Sequence, residues 1–180
     1  QFNVTWTDSG VGLNTLFIEH NFTGALTNYS FSGSSRGEYY YDYTDPAAGS
    51  YVWRSYANDT LDNKNETNQF IFEVDRATSE VNLTLNGTDD NITIEVTSIV
   101  NLSALLITPT NGLIELWLND TLINSGNTFI SNLTYFPIPA YYNVTAIYNT
   151  TQNYSTSRET HFITVTDSIA PTITLNYPID

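Results

Sequence analysis

Apolar and polar residues alternate along most of this chain, and this period of two constrains the fold more than any other feature of the sequence. Examples are Phe2/Val4/Trp6, Phe70/Phe72/Val74 and Leu116/Leu118. Successive side chains of a β-strand point to opposite faces of a sheet, so the pattern predicts half-buried strands. Clusters typical of turns, among them TDSGVG, DPAAG and NGTDDN, separate the runs, and no stretch carries a helical stripe. Many short strands at turn spacing predict an all-β protein built of antiparallel sandwiches.

A repeat of about 90 residues divides the chain into two modules. The stretch YVWRSYANDT (51–60) aligns with YNVTAIYNTT (142–151), so that Tyr51 matches Tyr142. Further along, QFIFEVDRATSEVNLTLNG (69–87) aligns with HFITVTDSIAPTITLNYP (161–178). In this second alignment Leu83 matches Ile173 and Leu85 matches Leu175. We therefore predict three parts: a sandwich over 1–75, a sandwich over 76–166, and a linker with an extended strand over 167–180.

The boundaries of the two modules do not coincide with the ends of the sequence. The second is complete, with an opening strand at 80–86 and a closing strand at 158–166. The first closes with 67–74, but FNVTWTDSG at its start matches a second strand, so we expect this sandwich to lack its first strand. The C-terminal segment aligns with the strand that opens the second module. Read as though joined, 168–180 and 1–74 give one complete module.

The C-terminal segment has one apolar face and no strand to pair with, and the first sandwich lacks one strand. Together these features predict strand donation between copies of this chain. Donor and acceptor surfaces differ, so the contact would be head to tail and would propagate as an open filament. The predicted donor residues are Ile169, Pro171, Ile173, Leu175, Tyr177 and Ile179. The predicted acceptor residues are Phe2, Val4, Trp6, Phe70, Phe72 and Val74.

The segment DPAAGSYVWRSYAND resembles the F-strand region of immunoglobulin-like modules. In that family a tyrosine at the start of the strand, two residues after a small one, closes a corner onto nearby backbone. Tyr51 after Gly49 and Tyr142 after Ala140 match this pattern. The whole chain resembles the tandem, sequon-rich repeats of archaeal and other prokaryotic surface glycoproteins, and its tail resembles the donor strands of extracellular prokaryotic fibres. The resemblance implies two tandem immunoglobulin-like β-sandwiches, here without an inter-sheet disulfide because the chain has no cysteine.

Asparagine placement predicts the compartment. Fourteen of the 21 asparagines stand in N-x-S/T sequons, where the share of serine and threonine would give about five by chance. A sequon asparagine is an acceptor for N-glycans in exported proteins. We therefore expect a densely N-glycosylated, extracellular or cell-surface protein. The sequon residues are Asn3, Asn21, Asn28, Asn58, Asn65, Asn82, Asn86, Asn91, Asn101, Asn119, Asn132, Asn143, Asn149 and Asn153.

The charge balance argues against several other partners. The formal net charge is −14 with only five Lys and Arg residues, so phosphate-binding patches for nucleic acid are not expected. No run approaches 18 apolar residues, so we expect no membrane insertion of the mature chain. A sequence that opens at Gln1 without a signal segment is typical of a processed product.

Nothing in the sequence points to an enzyme, a cofactor or a metal. His20 and His161 lie in different modules without a Ser, Asp or Cys partner pattern, and both are interpreted as strand-surface residues. GTDDN (87–91) and DPAAG are interpreted as turns rather than as Ca²⁺ sites.

The sequence thus predicts a structural subunit of a glycosylated, pilus-like extracellular filament. Two alternatives stay open. One is an immunoglobulin-like spacer repeat of a longer cell-surface or S-layer glycoprotein. The other is a carbohydrate-binding adhesin module that uses the tyrosine-rich run EYYYDY (38–43).

Overall fold

The chain is all-β, as predicted. The computed structural model describes residues 1–176, and within that range it contains sixteen strands and no helix. The described residues therefore contain no helix that could cross a membrane. Contacts divide the chain into two compact units, Gln1–Arg76 (unit 1) and Ala77–Asp180 (unit 2).

Unit 1 contains eight strands in two sheets. The first sheet has the order β1-β5-β4, and the second has the order β3-β2-β6. Both β7 and β8 pair with β6, along successive stretches of that long strand. The strands are β1 (Phe2–Thr5), β2 (Leu13–His20), β3 (Thr27–Tyr29), β4 (Gly33–Ser35), β5 (Glu38–Tyr41), β6 (Gly49–Asp59), β7 (Lys64–Glu66) and β8 (Phe70–Val74).

Unit 2 also contains eight strands in two sheets, with the orders β14-β11-β9 and β10-β16-β15-β12-β13. The chain crosses from the first sheet to the second between β9 and β10, and β10 then runs parallel to the last strand, β16. This strand order is that of an immunoglobulin-like sandwich. The strands are β9 (Glu80–Leu85), β10 (Ile92–Glu95), β11 (Ser98–Thr108), β12 (Leu113–Leu118), β13 (Thr121–Asn127), β14 (Phe129–Phe136), β15 (Tyr141–Tyr148) and β16 (Ser157–Thr166).

The core of unit 2 follows from the alternation in its strands. In β9, Val81, Leu83 and Leu85 are buried while Asn82 and Thr84 lie on the opposite, half-buried face. Apolar side chains that leave water in this way supply most of the favourable free energy of folding. The buried set joins both sheets and consists of Val81, Leu83, Leu85, Val100, Leu102, Ala104, Leu106, Ile114, Leu116, Ile130, Phe136, Val144, Ala146, Tyr148, Ile163 and Val165.

Two tyrosine corners establish which strands of the units correspond. The Tyr51 hydroxyl, at the start of β6, donates to the Ala47 carbonyl at 2.6 Å. The Tyr142 hydroxyl, at the start of β15, donates to the Ile138 carbonyl at 3.1 Å. The predicted tyrosine corners are thus confirmed. Since β2 pairs with β6 and β12 pairs with β15, β2 corresponds to β12, and the preceding strands β1 and β11 correspond as well.

Candidate strand-acceptor edge and glycosylation sites

The two corresponding strands, β1 and β11, differ in their neighbours. In unit 2, β11 lies between β14 and β9, and β9 occupies its outer edge over Val81–Leu85. In unit 1, β1 pairs with β5 only, and no strand within residues 1–176 pairs with its other edge. An edge of this kind presents a row of backbone N–H and C=O groups that can accept a further strand. We call it the β1 edge.

The predicted acceptor residues of β1 line an incompletely covered core. Phe2 and Val4 are half-buried, and so is Trp6 just beyond the strand, whereas the inward apolar residues of β11 are at most 3% exposed. The Phe2 ring lies 4.6 Å from the Phe22 ring and 5.4 Å from the Phe72 ring, measured between centroids. Trp6 donates its indole N–H to the Ser55 hydroxyl at 2.9 Å. Neighbouring groups of unit 1 thus hold Phe2 and Trp6 in place, while the side that faces the β1 edge stays accessible to solvent.

The predicted acceptor residues of β8 form a second free edge. Among the described strands, β8 pairs only with β6, whereas its counterpart in unit 2, β16, also pairs with the parallel strand β10. Phe72 stacks on Tyr51 at 5.3 Å, and Phe70 stacks on Trp53 at 5.0 Å with 48% of its surface exposed. Val74 is half-buried. The structure therefore brings Phe2 and Phe72 into contact, whereas Phe70 lies at the solvent-exposed margin of this aromatic cluster.

The four predicted donor residues within 1–176 lie in solvent. Residues 167–176 form no strand, and Ile169, Ile173 and Leu175 are 67%, 90% and 74% exposed. Pro171 is also exposed. Their counterparts in unit 2, Leu83 for Ile173 and Leu85 for Leu175, are fully buried. Tyr177 and Ile179 lie outside the described residues.

The sequon asparagines all reach the surface. Eight are exposed and six are half-buried, and none of the fourteen is buried. Several carboxamides also brace turns: Oδ1 of Asn86 accepts from the Asn101 backbone N–H, and Oδ1 of Asn119 accepts from that of Asn143. An N-glycan is attached at Nδ2, so these bonds to Oδ1 are compatible with glycosylation.

The interpretation of His20 as a strand-surface residue is wrong. His20 is fully buried in unit 1, where its ring stacks on Phe22 at 4.0 Å and on Tyr29 at 4.2 Å. Burial lowers the pKa of this imidazole to about 4. Nδ1 accepts the Phe22 backbone N–H, while Nε2 has no partner within the described part of the chain. The sequence gives no sign of this stack, because its members come from separate strands and loops.

The structure gives His161 the acidic neighbours that the sequence pattern does not show. Nε2 of His161 lies 3.0 Å from Oδ1 of Asp89 and 3.8 Å from Oε1 of Glu159. One ligand atom from each of the three residues lies within 4.8 Å of the others, so the group could hold a metal ion. Glu159 and His161 are two apart on β16, and the turn before β10 supplies Asp89. The geometry also suits a simple ion pair that fastens this turn to β16.

The tyrosine-rich run does not form an open platform. Tyr39, Tyr40 and Tyr41 are half-buried. The Tyr41 ring packs against His20 at 4.8 Å, and the Tyr39 ring lies 5.8 Å from Phe31. Tyr43 donates its hydroxyl to the Phe22 carbonyl at 3.0 Å. Tyr39, Tyr41 and Tyr43 therefore contribute to packing in unit 1.

The chain is similar to some tandem domains of known structure, at low sequence identity. No protein-family model matches the sequence, and no curated protein matches it significantly. The chain is similar to fibronectin(III)-like modules of Clostridium thermocellum CbhA, with 9% identity, a TM-score of 0.38, and coverage of 97% of this chain and 90% of that one.

Two titin structures are similar as well. A chimeric titin Z1Z2 tandem shows 12% identity and a TM-score of 0.33, with 88% and 87% of the two chains covered. The titin Ig tandem A164–A165 shows 13% identity and a TM-score of 0.31, with 84% and 82% covered. The assignment of immunoglobulin-like sandwiches rests on the strand order given above.

Proposed function

We propose that this protein is a structural subunit of an extracellular, N-glycosylated filament. Each copy inserts its C-terminal segment into unit 1 of the next copy, as an added strand at the β1 edge. The contact is heterologous, because donor and acceptor are different surfaces, and repetition of the same contact builds a head-to-tail polymer.

One observation carries this proposal, namely the comparison of the two units within one chain. β9 closes unit 2 by pairing with β11 and burying Leu83 and Leu85. The segment around Ile173 and Leu175 repeats the sequence of β9, yet its apolar side chains lie in solvent. The counterpart of β11 meanwhile has a free edge within residues 1–176. Within residues 1–176 of a single copy, the segment that resembles β9 and the edge that corresponds to the outer edge of β11 thus both lack a strand partner.

The proposed glycan coat rests on the sequon count and on surface access. All fourteen sequon asparagines have accessible side chains. Glycans on an outer surface are compatible with strand insertion as long as they stand clear of the β1 edge. Asn3 lies on the outward face of β1, opposite to the core residues Phe2 and Val4, so a glycan there would point away from the groove.

The test uses the protein from its native source and a variant that lacks residues 168–180. We expect the 180-residue chain to form fibres in electron micrographs and the shortened chain to stay monomeric in sedimentation experiments. A synthetic peptide of residues 168–180 should bind the shortened chain and block fibre growth of the 180-residue chain. Fibres that form unchanged without the tail would refute strand donation.

The spacer-repeat alternative rests on the same sequence repeat. In a longer chain the segment around Ile173 would open a third sandwich and would be covered in cis. The mass of the native chain after removal of sugars separates the two proposals, since 180 residues correspond to 20.2 kDa. A much larger native chain would favour the spacer.

A further inference from the structure

The outer face of the sheet β14-β11-β9 is unusually apolar. Six large side chains on this face are 42–74% exposed. Exposed apolar clusters of this kind on a soluble domain mark surfaces that something else covers. The six residues, here called the apolar face, are Ile99, Leu105, Ile107, Phe129, Leu133 and Tyr135.

Strand pairing places a sequon asparagine inside each half of the apolar face. Leu105 of β11 pairs with Phe129 on one side and with Asn82 on the other. Asn101 pairs with Leu133. Directly opposed residues have Cβ atoms about 4.5–5.5 Å apart, so each asparagine stands beside an apolar residue of the cluster.

These two asparagines are free to carry a substituent across the face. Both side chains are half-buried, and neither carboxamide bonds to any residue within 1–176, in contrast to that of Asn86. Apart from Glu80 at one end, no outward residue of the three strands is charged at pH 7. Thr84, Ser103 and Ser131 fill the remaining outward positions, so a protein partner would find few charges to orient it.

We propose that N-glycans on Asn82 and Asn101 lie across the apolar face and shield it from water. This inference rests on the glycosylation in the proposed function. A pyranose ring presents C–H groups on its flat faces, and these pack on aromatic rings such as those of Phe129 and Tyr135. The glycan at Asn82 covers the half around Leu105, and the glycan at Asn101 covers the half around Leu133. The sugar hydroxyls face solvent in place of the apolar side chains.

The test compares two double variants in a host that glycosylates the protein. N82Q/N101Q removes the two acceptors on the apolar face. N28Q/N149Q is the matched control, because both of these sequon asparagines are exposed and lie off this face. Glycopeptide mass spectrometry first establishes which asparagines carry sugar in the wild type. An environment-sensitive dye such as ANS then reports exposed apolar surface.

We expect N82Q/N101Q to raise ANS fluorescence at least about twofold and to lengthen retention on a hydrophobic column, while N28Q/N149Q changes neither. Adding F129S and L133S to N82Q/N101Q should return both readouts to the wild-type level, which shows that the dye reports this face.

Three outcomes would overturn the inference. Asn82 and Asn101 could be unmodified while other sequons carry sugar. Both could be modified, with no change in dye binding on their removal. The glycosylated wild type could form a dimer that F129S/L133S dissolves, which would assign the face to a second copy. Failure of the underlying proposal looks different, because then no sequon of the native protein carries sugar.

Discussion

The double substitution I173A/L175A tests strand donation at the level of single side chains. In one copy these residues are 90% and 74% exposed, so their truncation costs the free chain almost nothing. The corresponding residues of β9, Leu83 and Leu85, are fully buried. If the tail takes the place of such a strand in the next copy, both side chains pass almost completely from water into a core.

The expected magnitude follows from the groups removed. Each truncation to alanine deletes three carbon atoms, and at about 0.8 kcal/mol per buried methylene group each side chain loses about 2 kcal/mol of association free energy. The two together lose about 4 kcal/mol, which corresponds to a roughly thousandfold weaker association.

The assay measures the lowest protein concentration at which fibres form, by light scattering and electron microscopy. Binding of labelled 168–180 peptides to the tail-less chain gives the same difference as a ratio of Kd values. T172A/T174A is the matched control, because Thr172 and Thr174 alternate with the truncated residues and would face solvent in an added strand. The melting temperature of the monomer should be the same in all variants.

A result within about threefold of the wild type, less than 1 kcal/mol, would show that Ile173 and Leu175 stay in water in the assembled state. Equal losses from T172A/T174A would refute the assignment of the inward face of the tail.

Three further predictions concern the units themselves. L83A should lower the free energy of unfolding of unit 2 by about 2.7–5 kcal/mol in urea titrations, because a fully buried leucine leaves a cavity; a loss below about 1 kcal/mol would contradict its place in the core. Since burial lowers the pKa of His20 to about 4, the unfolded chain binds a proton more readily than the folded one. The free energy of unfolding of unit 1 should therefore fall by about 3 kcal/mol as pH falls from about 7 to about 3, mostly between pH 6.5 and pH 4. Unfolding followed by tryptophan fluorescence in a W117F background reports unit 1, and H20F should remove this pH dependence; a dependence that persists in H20F would refute its assignment to His20. Y142F should destabilise unit 2 by about 1 kcal/mol, since the Ile138 carbonyl loses its donor, and a hydrogen-exchange measurement should show faster opening at the start of β15, whereas unchanged exchange would mean that the corner contributes nothing.

Local pattern sufficed for the strand faces. The alternation that includes Leu116 and Leu118 predicted the inward face of β12, and the motif around Tyr51 and Tyr142 predicted both corners. These features depend on residues close together in the sequence. The contact between His161 and Asp89 escaped prediction, because it joins residues far apart in the chain. The stack around His20 is more local, but Phe22 follows the end of β2 and Tyr29 belongs to β3, so the pattern of a single strand does not contain it.

The sequence by itself determined that this chain is all-β and which face turns inward in the strands with a clear alternation. Only the tertiary structure decided which strands are neighbours: that β9 covers β11, that β1 pairs with β5, and that Asn82 and Asn101 stand among exposed apolar side chains. The physical reason is that side-chain alternation depends on backbone geometry within a strand. Strand pairing depends on hydrogen bonds and packing between residues that the sequence separates widely.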